Sequence, residues 1–229
     1  MNSFIGMIIV CIVLGYGVGC INLSFFLGKL KGFDIRDYGS GNAGASNLMI
    51  TMGKKIGVFV ALLDVLKAFL IIRFVMFLYP GQLLAAFICA DAVVIGNIFP
   101  FYMGFKGGKG FASLGGSVLA IDFRFFVVLL IIVTAIVLIS DYICFAPIFA
   151  SIAFPVSYSV IYQTPVSMVY LAATAAILYR HYENLKRIAQ GKELRFSFLW
   201  NRKREAERLG VDDDHGDGKT IPFRRNPKN

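Results

Sequence analysis

Gly104-Phe105-Lys106-Gly107-Gly108-Lys109-Gly110 separates two apolar runs, residues 82–100 and 111–121. So much glycine and charge between two nearly uncharged stretches reads as a loop joining consecutive membrane helices. Four glycines permit close backbone approach, so their N–H groups are expected to converge on an anion. Lys106 and Lys109 add full positive charge that apolar surroundings otherwise exclude. The turn therefore reads as a phosphate cradle at a bilayer surface, although a tight turn with a positive-inside anchor accounts for the same residues. It is not a Walker A loop, because Gly110 follows Lys109 where serine or threonine is required.

Working outward, apolar stretches recur at 4–28, 56–79, 125–140, 142–162 and 166–179 in addition to the flanking pair. They predict an all-α integral membrane protein of about seven transmembrane helices, the fourth short or broken. The composition agrees: 57% of residues are hydrophobic and 16% charged, against roughly a quarter charged in soluble domains. Residues 1–195 form the expected membrane domain, and 196–229 a polar tail expected to be disordered, with an acidic patch around Asp212–Asp217.

A net charge of +9 suggests nucleic acid until the basic residues are located. About half follow Leu185 and others cluster in short loops, the pattern of cytoplasmic flanks, so no nucleic-acid partner is expected. Lys29, Lys31, Arg36, Lys54 and Lys55 in the first loop and Lys106 and Lys109 in the third place the odd loops and C-terminus in the cytoplasm, the N-terminus outside. Cys11, Cys20, Cys89 and Cys144 lie in apolar runs without Cys-x-x-Cys spacing. They read as reduced core residues, and no metal site is expected.

Three polar stretches fall on that cytoplasmic face. In Gly39-Ser40-Gly41-Asn42-Ala43-Gly44-Ala45-Ser46-Asn47, small residues allow close approach, and Ser40, Asn42, Ser46 and Asn47 offer donors and acceptors for hydroxyl and phosphate oxygens. A flexible turn with Ser46 or Asn47 capping the next helix is the competing account. The second stretch is the glycine-lysine turn. In the third, Arg180-His181-Tyr182-Glu183-Asn184-Leu185-Lys186-Arg187, helical spacing puts His181 and Asn184 on one face and lets Glu183 pair with Arg187. His181 is a candidate base, oxyanion donor or phosphate contact, or else an interfacial histidine within a snorkelling collar. Asp64 and Lys67, buried charges three residues apart, read either as part of the chemistry or as a pair closing onto neighbouring backbone.

Together these stretches resemble the bacterial acyl-phosphate:glycerol-3-phosphate acyltransferase family. The resemblance rests on residues 39–47, 104–110 and His181-Tyr182-Glu183-Asn184-Leu185, followed by Gly191-Lys192-Glu193. It implies seven transmembrane helices with the N-terminus outside, in a monomer of the bacterial inner (plasma) membrane surrounded by lipid. It also implies transfer of a fatty acyl group from acyl phosphate to the 1-hydroxyl of glycerol 3-phosphate, yielding lysophosphatidic acid and phosphate without a cofactor. On the resemblance, His181, Asn184 and Ser40 are catalytic; Asn42, Ser46, Asn47, Lys106, Gly107, Gly108 and Lys109 bind substrate.

The chain departs from the family pattern at four points. Ile50 stands where the family has an arginine, and Asn97 where it has histidine after Gly96. Ser140-Asp141-Tyr142-Ile143-Cys144 replaces Thr-Arg-Tyr-x-Ser, exchanging a cation for Asp141 and a hydroxyl for the Cys144 thiol. Lys54 or Lys55, about one helical turn past Ile50, is expected to compensate. The alternative is a divergent, weakly active or inactive paralogue that binds a phosphorylated lipid precursor or assists a partner enzyme. A small transporter is disfavoured, because the polar motifs lie at one face and not at mid-membrane.

Overall fold

The computed structural model describes residues 2–201 together with 204, 205 and 208. Among these the regular elements are α-helices and short 3₁₀ turns. The α-helices are α1 (Asn2–Cys20), α2 (Leu23–Leu30), α3 (Ala45–Thr51), α4 (Lys54–Leu78), α5 (Leu83–Ile98), α6 (Phe111–Ile121), α7 (Phe123–Ser140), α8 (Phe145–Ile161) and α9 (Leu171–Ala189). By length and composition, Ser3–Leu30, Leu83–Met103 and Phe123–Ser140 are long and apolar enough to cross a membrane.

The core is centred on α5, buried along most of its length. Helix α1 lies against it. A Cβ on Gly19 would stand 2.2 Å from the Val93 carbonyl oxygen, and one on Gly96 2.4 Å from that of Tyr16. Small residues let two apolar helices approach backbone to backbone, the packing mode available where lipid supplies no hydrophobic drive. On the other side Phe87, Phe125, Phe154 and Tyr158 interlock edge to face. Helix α7 shows the outward logic: it buries Leu129, Val133 and Val137, one stripe at four-residue spacing. Ile131, Leu138 and Ile139 on its other faces are exposed and apolar, as a lipid-facing helix requires. All four cysteines are buried and free, as expected.

One expected segment is interrupted and another is short. The first apolar run breaks at Ile21–Asn22 into α1 and α2, and the protein satisfies the polar groups of the break. Asn22 Oδ1 accepts from Phe25 N–H and caps α2, its Nδ2 donates to the Ala43 carbonyl, and Tyr102 Oη donates to the Cys20 carbonyl. Lys67 donates to the Ile21 carbonyl while pairing with Asp64 at 2.7 Å. The buried pair thus closes onto neighbouring backbone. The fourth segment, α6, is short as expected: its 11 residues span roughly 16 Å of a hydrocarbon layer of about 30 Å.

Three expectations are corrected. Residues 50–55 are not one helix: Gly53, at φ 93°, ends α3 and starts α4. Lys54 and Lys55 are exposed at that start, while Ile50 is buried in α3, so the one-turn relation that would let a lysine stand in for Ile50 fails. The cap of α3 is Gly44, not Ser46 or Asn47. Phe196–Leu199, within the tail expected to be disordered, form a 3₁₀ turn against Asp141. The acidic patch at 212–217 lies outside the described residues.

Candidate active site

The glycine-lysine turn folds back on the end of α5. Gly107 N–H donates to the Ile98 carbonyl at 3.0 Å and Gly108 N–H to the Asn97 carbonyl at 2.9 Å. These amides are therefore engaged, which corrects the expectation that the glycine N–H groups converge on an anion. Absence of a side chain is what the sites require. A Cβ on Gly107 would sit 2.3 Å from the Asn97 carbonyl oxygen, and one on Gly108 2.8 Å from Asn97 Oδ1. The glycines shape the loop so that other groups meet the ligand.

Two arginines hold the loop's carbonyls from outside. Arg36 Nη1 donates to the Met103 carbonyl at 2.8 Å, while its Nε and Nη2 grip Asp34 at 3.0 and 2.8 Å. The Asp34 carboxylate holds the Arg36 guanidinium above its ordinary pKa, and Asp34 itself lies below the usual carboxylate value for the same reason. Arg180 Nη2 donates to the Gly107 carbonyl at 3.2 Å. Its Nε is buried with no hydrogen-bond partner among the described residues.

Helix α9 continues past Tyr179, where the last apolar segment ends, and carries His181 and Asn184 on one buried face. Asn184 Oδ1 accepts from Lys109 Nζ at 2.5 Å, and Asn184 Nδ2 donates to Glu193 Oε1 at 2.5 Å. Arg187 Nε donates to Glu193 Oε2 at 2.6 Å. Arg187 thus pairs with Glu193 and not with Glu183 as the helical spacing suggested, because the chain turns back after Ala189 and brings a second carboxylate to it. Lys109 is pushed down to about 8, chiefly by burial and then by the Arg187 and Arg180 charges. Lys109 thus feels two like charges and one carboxylate, which leaves excess positive charge where burial makes it costly, the electrostatic condition for receiving a phosphate.

His181 Nδ1 lies 2.8 Å from the Ile177 carbonyl oxygen. A carbonyl has no proton to give, so Nδ1 is the donor and Nε2 of the neutral ring carries the lone pair. Burial, then the Lys109 charge, lowers His181 to about 4, so the ring is neutral at pH 7. Of the roles open to it, acceptor or base fits this tautomer, and oxyanion donor does not.

The first motif reaches the same place through Ala43, whose carbonyl oxygen would be 3.3 Å from a Cβ on Gly108. Asn42 is buried, and its Oδ1 has no hydrogen-bond partner among the described residues, an orphan acceptor of the kind a ligand satisfies. Ser40 is half-buried, its N–H donating to Asn47 Oδ1 at 2.8 Å. Asn47 is fully buried, and its Nδ2 donates to the Ile35 and Tyr38 carbonyls at 2.9 and 3.0 Å. It was expected among the substrate contacts, and in this structure its side chain holds the loop's own backbone. Ser46 and Lys106 are exposed.

The fold therefore brings Lys109, His181, Asn184, Asn42 and Ser40 to neighbouring elements and leaves Ser46 and Lys106 at the rim. Sequence reading gave no site role to Arg36, Arg180, Arg187 or Glu193. Arg36 was visible only as a positive-inside charge, and Glu193 only as a letter of the third motif. No group of three or more His, Cys, Asp or Glu able to hold a metal occurs among the described residues.

A family model described as glycerol-3-phosphate acyltransferase matches residues 9–191. A protein of Oceanobacillus iheyensis called glycerol-3-phosphate acyltransferase 1 is 34% identical over 202 residues, covering 85% of this chain and 98% of the relative. Two solved structures of an integral membrane glycerol 3-phosphate acyltransferase are each 33% identical to this chain. The glycerol 3-phosphate form superposes with a TM-score of 0.77 over 84% of this chain and 96% of its own. The lysophosphatidic acid form gives 0.72 over 82% and 94%.

Proposed function

The chain belongs to the glycerol-3-phosphate acyltransferase family, and from that premise we propose that it moves a fatty acyl group from acyl phosphate to the 1-hydroxyl of glycerol 3-phosphate. The hydroxyl oxygen forms the new ester bond to the acyl carbon. The bond from that carbon to the phosphate oxygen breaks, and the hydroxyl proton ends on the departing phosphate. The products are lysophosphatidic acid and inorganic phosphate. The observation that carries this reading is the Lys109–Asn184 contact beside neutral His181, which joins a phosphate-seeking cation to a proton acceptor.

In this reading Lys109 and Arg180 receive phosphate oxygens. His181 Nε2 accepts the 1-hydroxyl proton's hydrogen bond and orients the oxygen. Asn42 Oδ1 and the Ser40 hydroxyl take the remaining glycerol contacts, and Asn184 fixes the Lys109 ammonium. Gly107 and Gly108 serve by shape, and Ser46 and Lys106 steer anions at the rim. An acyl phosphate is already an activated anhydride, so positioning and charge neutralisation supply most of the rate enhancement. We place the chain as a seven-span monomer of the bacterial inner membrane. Its N-terminus is outside, the site lies at the cytoplasmic face, and residues 1–195 form the catalytic membrane domain. The alternative of a paralogue that only binds a phosphorylated precursor has no separate observation behind it.

Purified protein in detergent, supplied with palmitoyl phosphate and glycerol 3-phosphate, is expected to release phosphate and lysophosphatidate in equal amounts. The His181→Ala variant is the control. Turnover no greater than that control overturns the reading.

A further inference from the structure

Beyond residue 191, where the match to the family model ends, the chain turns back across the α7–α8 corner. Asp141 meets it there, at the position where an arginine was expected from the resemblance. Phe196 N–H donates to the Asp141 carbonyl at 2.7 Å. Ser197 N–H donates to Asp141 Oδ1 at 2.7 Å, and Ser197 Oγ to Oδ2 at 2.8 Å. Asp141 takes the left-handed conformation, φ 61°, that aims these acceptors. An arginine, which only donates, could accept none of the Ser197 side-chain and amide protons.

The contact is one end of a longer path. Glu205, buried, accepts from Arg195 N–H at 2.8 Å and pairs with Arg208 at 2.5 Å. Arg208 in turn donates to the Gly191 and Glu193 carbonyls at 2.5 and 2.6 Å. Residues 191–195 are thus held against the end of α9 from two directions. Within them lies Glu193, whose carboxylate orients Asn184, which holds Lys109.

We propose that residues 195–201, together with Glu205 and Arg208, act as a strap, locked by Asp141 to Ser197, that keeps Glu193 and therefore Asn184 and Lys109 in position to receive the phosphate-bearing substrate. Asp141 and Ser197 are positioning residues and touch no reacting atom. The lost family cation at 141 is then an exchange: a direct charge is replaced by an acceptor for the chain's own C-terminal segment. The kinetic side rests on the acyl-transfer reading, whereas the strap itself does not.

The test compares full-length wild type with Asp141→Gly and Asp141→Asn. Glycine removes both side-chain contacts while suiting the positive φ. Asparagine retains one acceptor for Ser197 N–H and offers a donor to Ser197 Oγ. Amide exchange in detergent is expected to accelerate about tenfold at Ser197 in Asp141→Gly, the scale of one charge-assisted hydrogen bond. The acceleration should extend into 191–195. KM for glycerol 3-phosphate is expected to rise about tenfold with kcat within about twofold, and Asp141→Asn should recover most of both effects. Acceleration confined to 196–197 with unchanged KM overturns the strap, as does an equal defect in Asp141→Asn. If wild type transfers no acyl group, the activity reading fails, and the exchange data alone decide the strap.

Discussion

Lys109 Nζ and Asn184 Oδ1 stand 2.5 Å apart although 75 residues separate them in the chain. The contact closes the glycine-lysine turn onto α9, and Glu193 behind Asn184 keeps the amide from rotating. Asn184 therefore presents its oxygen to the cation by necessity, since its NH₂ end is committed to a carboxylate.

Removing that arrangement should cost catalysis more than folding. Lys109→Met is expected to lower kcat/KM for glycerol 3-phosphate by roughly 10–100-fold, the worth of one charge-assisted contact of about 1.5–3 kcal/mol. Asn184→Asp, which keeps the oxygen but sets a second carboxylate against Glu193, should lose a comparable amount. Steady-state kinetics in detergent check both, and a retained size-exclusion profile shows that the fold survives.

The pH dependence follows from two shifted groups. Burial and the neighbouring arginines hold Lys109 at about 8, below a lysine's ordinary value, so its charge is present below that pH and lost above it. kcat/KM should fall as pH rises through about 8. His181, lowered to about 4 by burial and Lys109, stays neutral from pH 5 upward. Its ring signals in an NMR titration should not move between pH 5 and 8, whereas movement centred near 6.5 would refute the buried neutral tautomer.

Gly107 offers a steric test of the loop. An added Cβ would stand 2.3 Å from the Asn97 carbonyl oxygen, so the turn must lift off α5 and carry Lys109 with it. Gly107→Ala is expected to raise KM about tenfold or more, the effect of a displacement near 1 Å at a phosphate contact. A substrate titration of the purified variant measures it.

Ile50 is buried in α3, and Lys54 and Lys55 begin a separate, exposed helix. Neither lysine is placed to replace an arginine at 50. Ile50→Arg is therefore expected to change KM for glycerol 3-phosphate, lowering it about tenfold if the guanidinium reaches the site. The same variant should lose stability, since a cation enters an apolar position, and a lower detergent melting temperature would record it.

Much of this protein was legible without coordinates. Apolar runs bounded by charge specified membrane helices, because a hydrocarbon layer tolerates little else. Residue type alone marked Lys109, His181 and Asn184 as the groups able to hold phosphate or accept a proton. The family pattern joined them. For the Asp64–Lys67 pair the sequence left two readings, chemistry or closure onto backbone, and the contact with the Ile21 carbonyl favours the second.

What residue type could not supply was partner choice. Asn47 and Asn42 look interchangeable in the motif, yet one is saturated by its own loop and the other keeps an acceptor unpaired among the described residues. Gly107 and Gly108 promised free amides, and the return of the loop onto α5 engaged them. Glu193 and Asp141 gained their meaning from segments that fold back long after the motifs end. A hydrogen bond is decided by which donor lies within about 3 Å, and over separations of tens of residues only helix packing sets that distance. The sequence determined which chemistry was present; the tertiary structure decided which groups remain available to perform it.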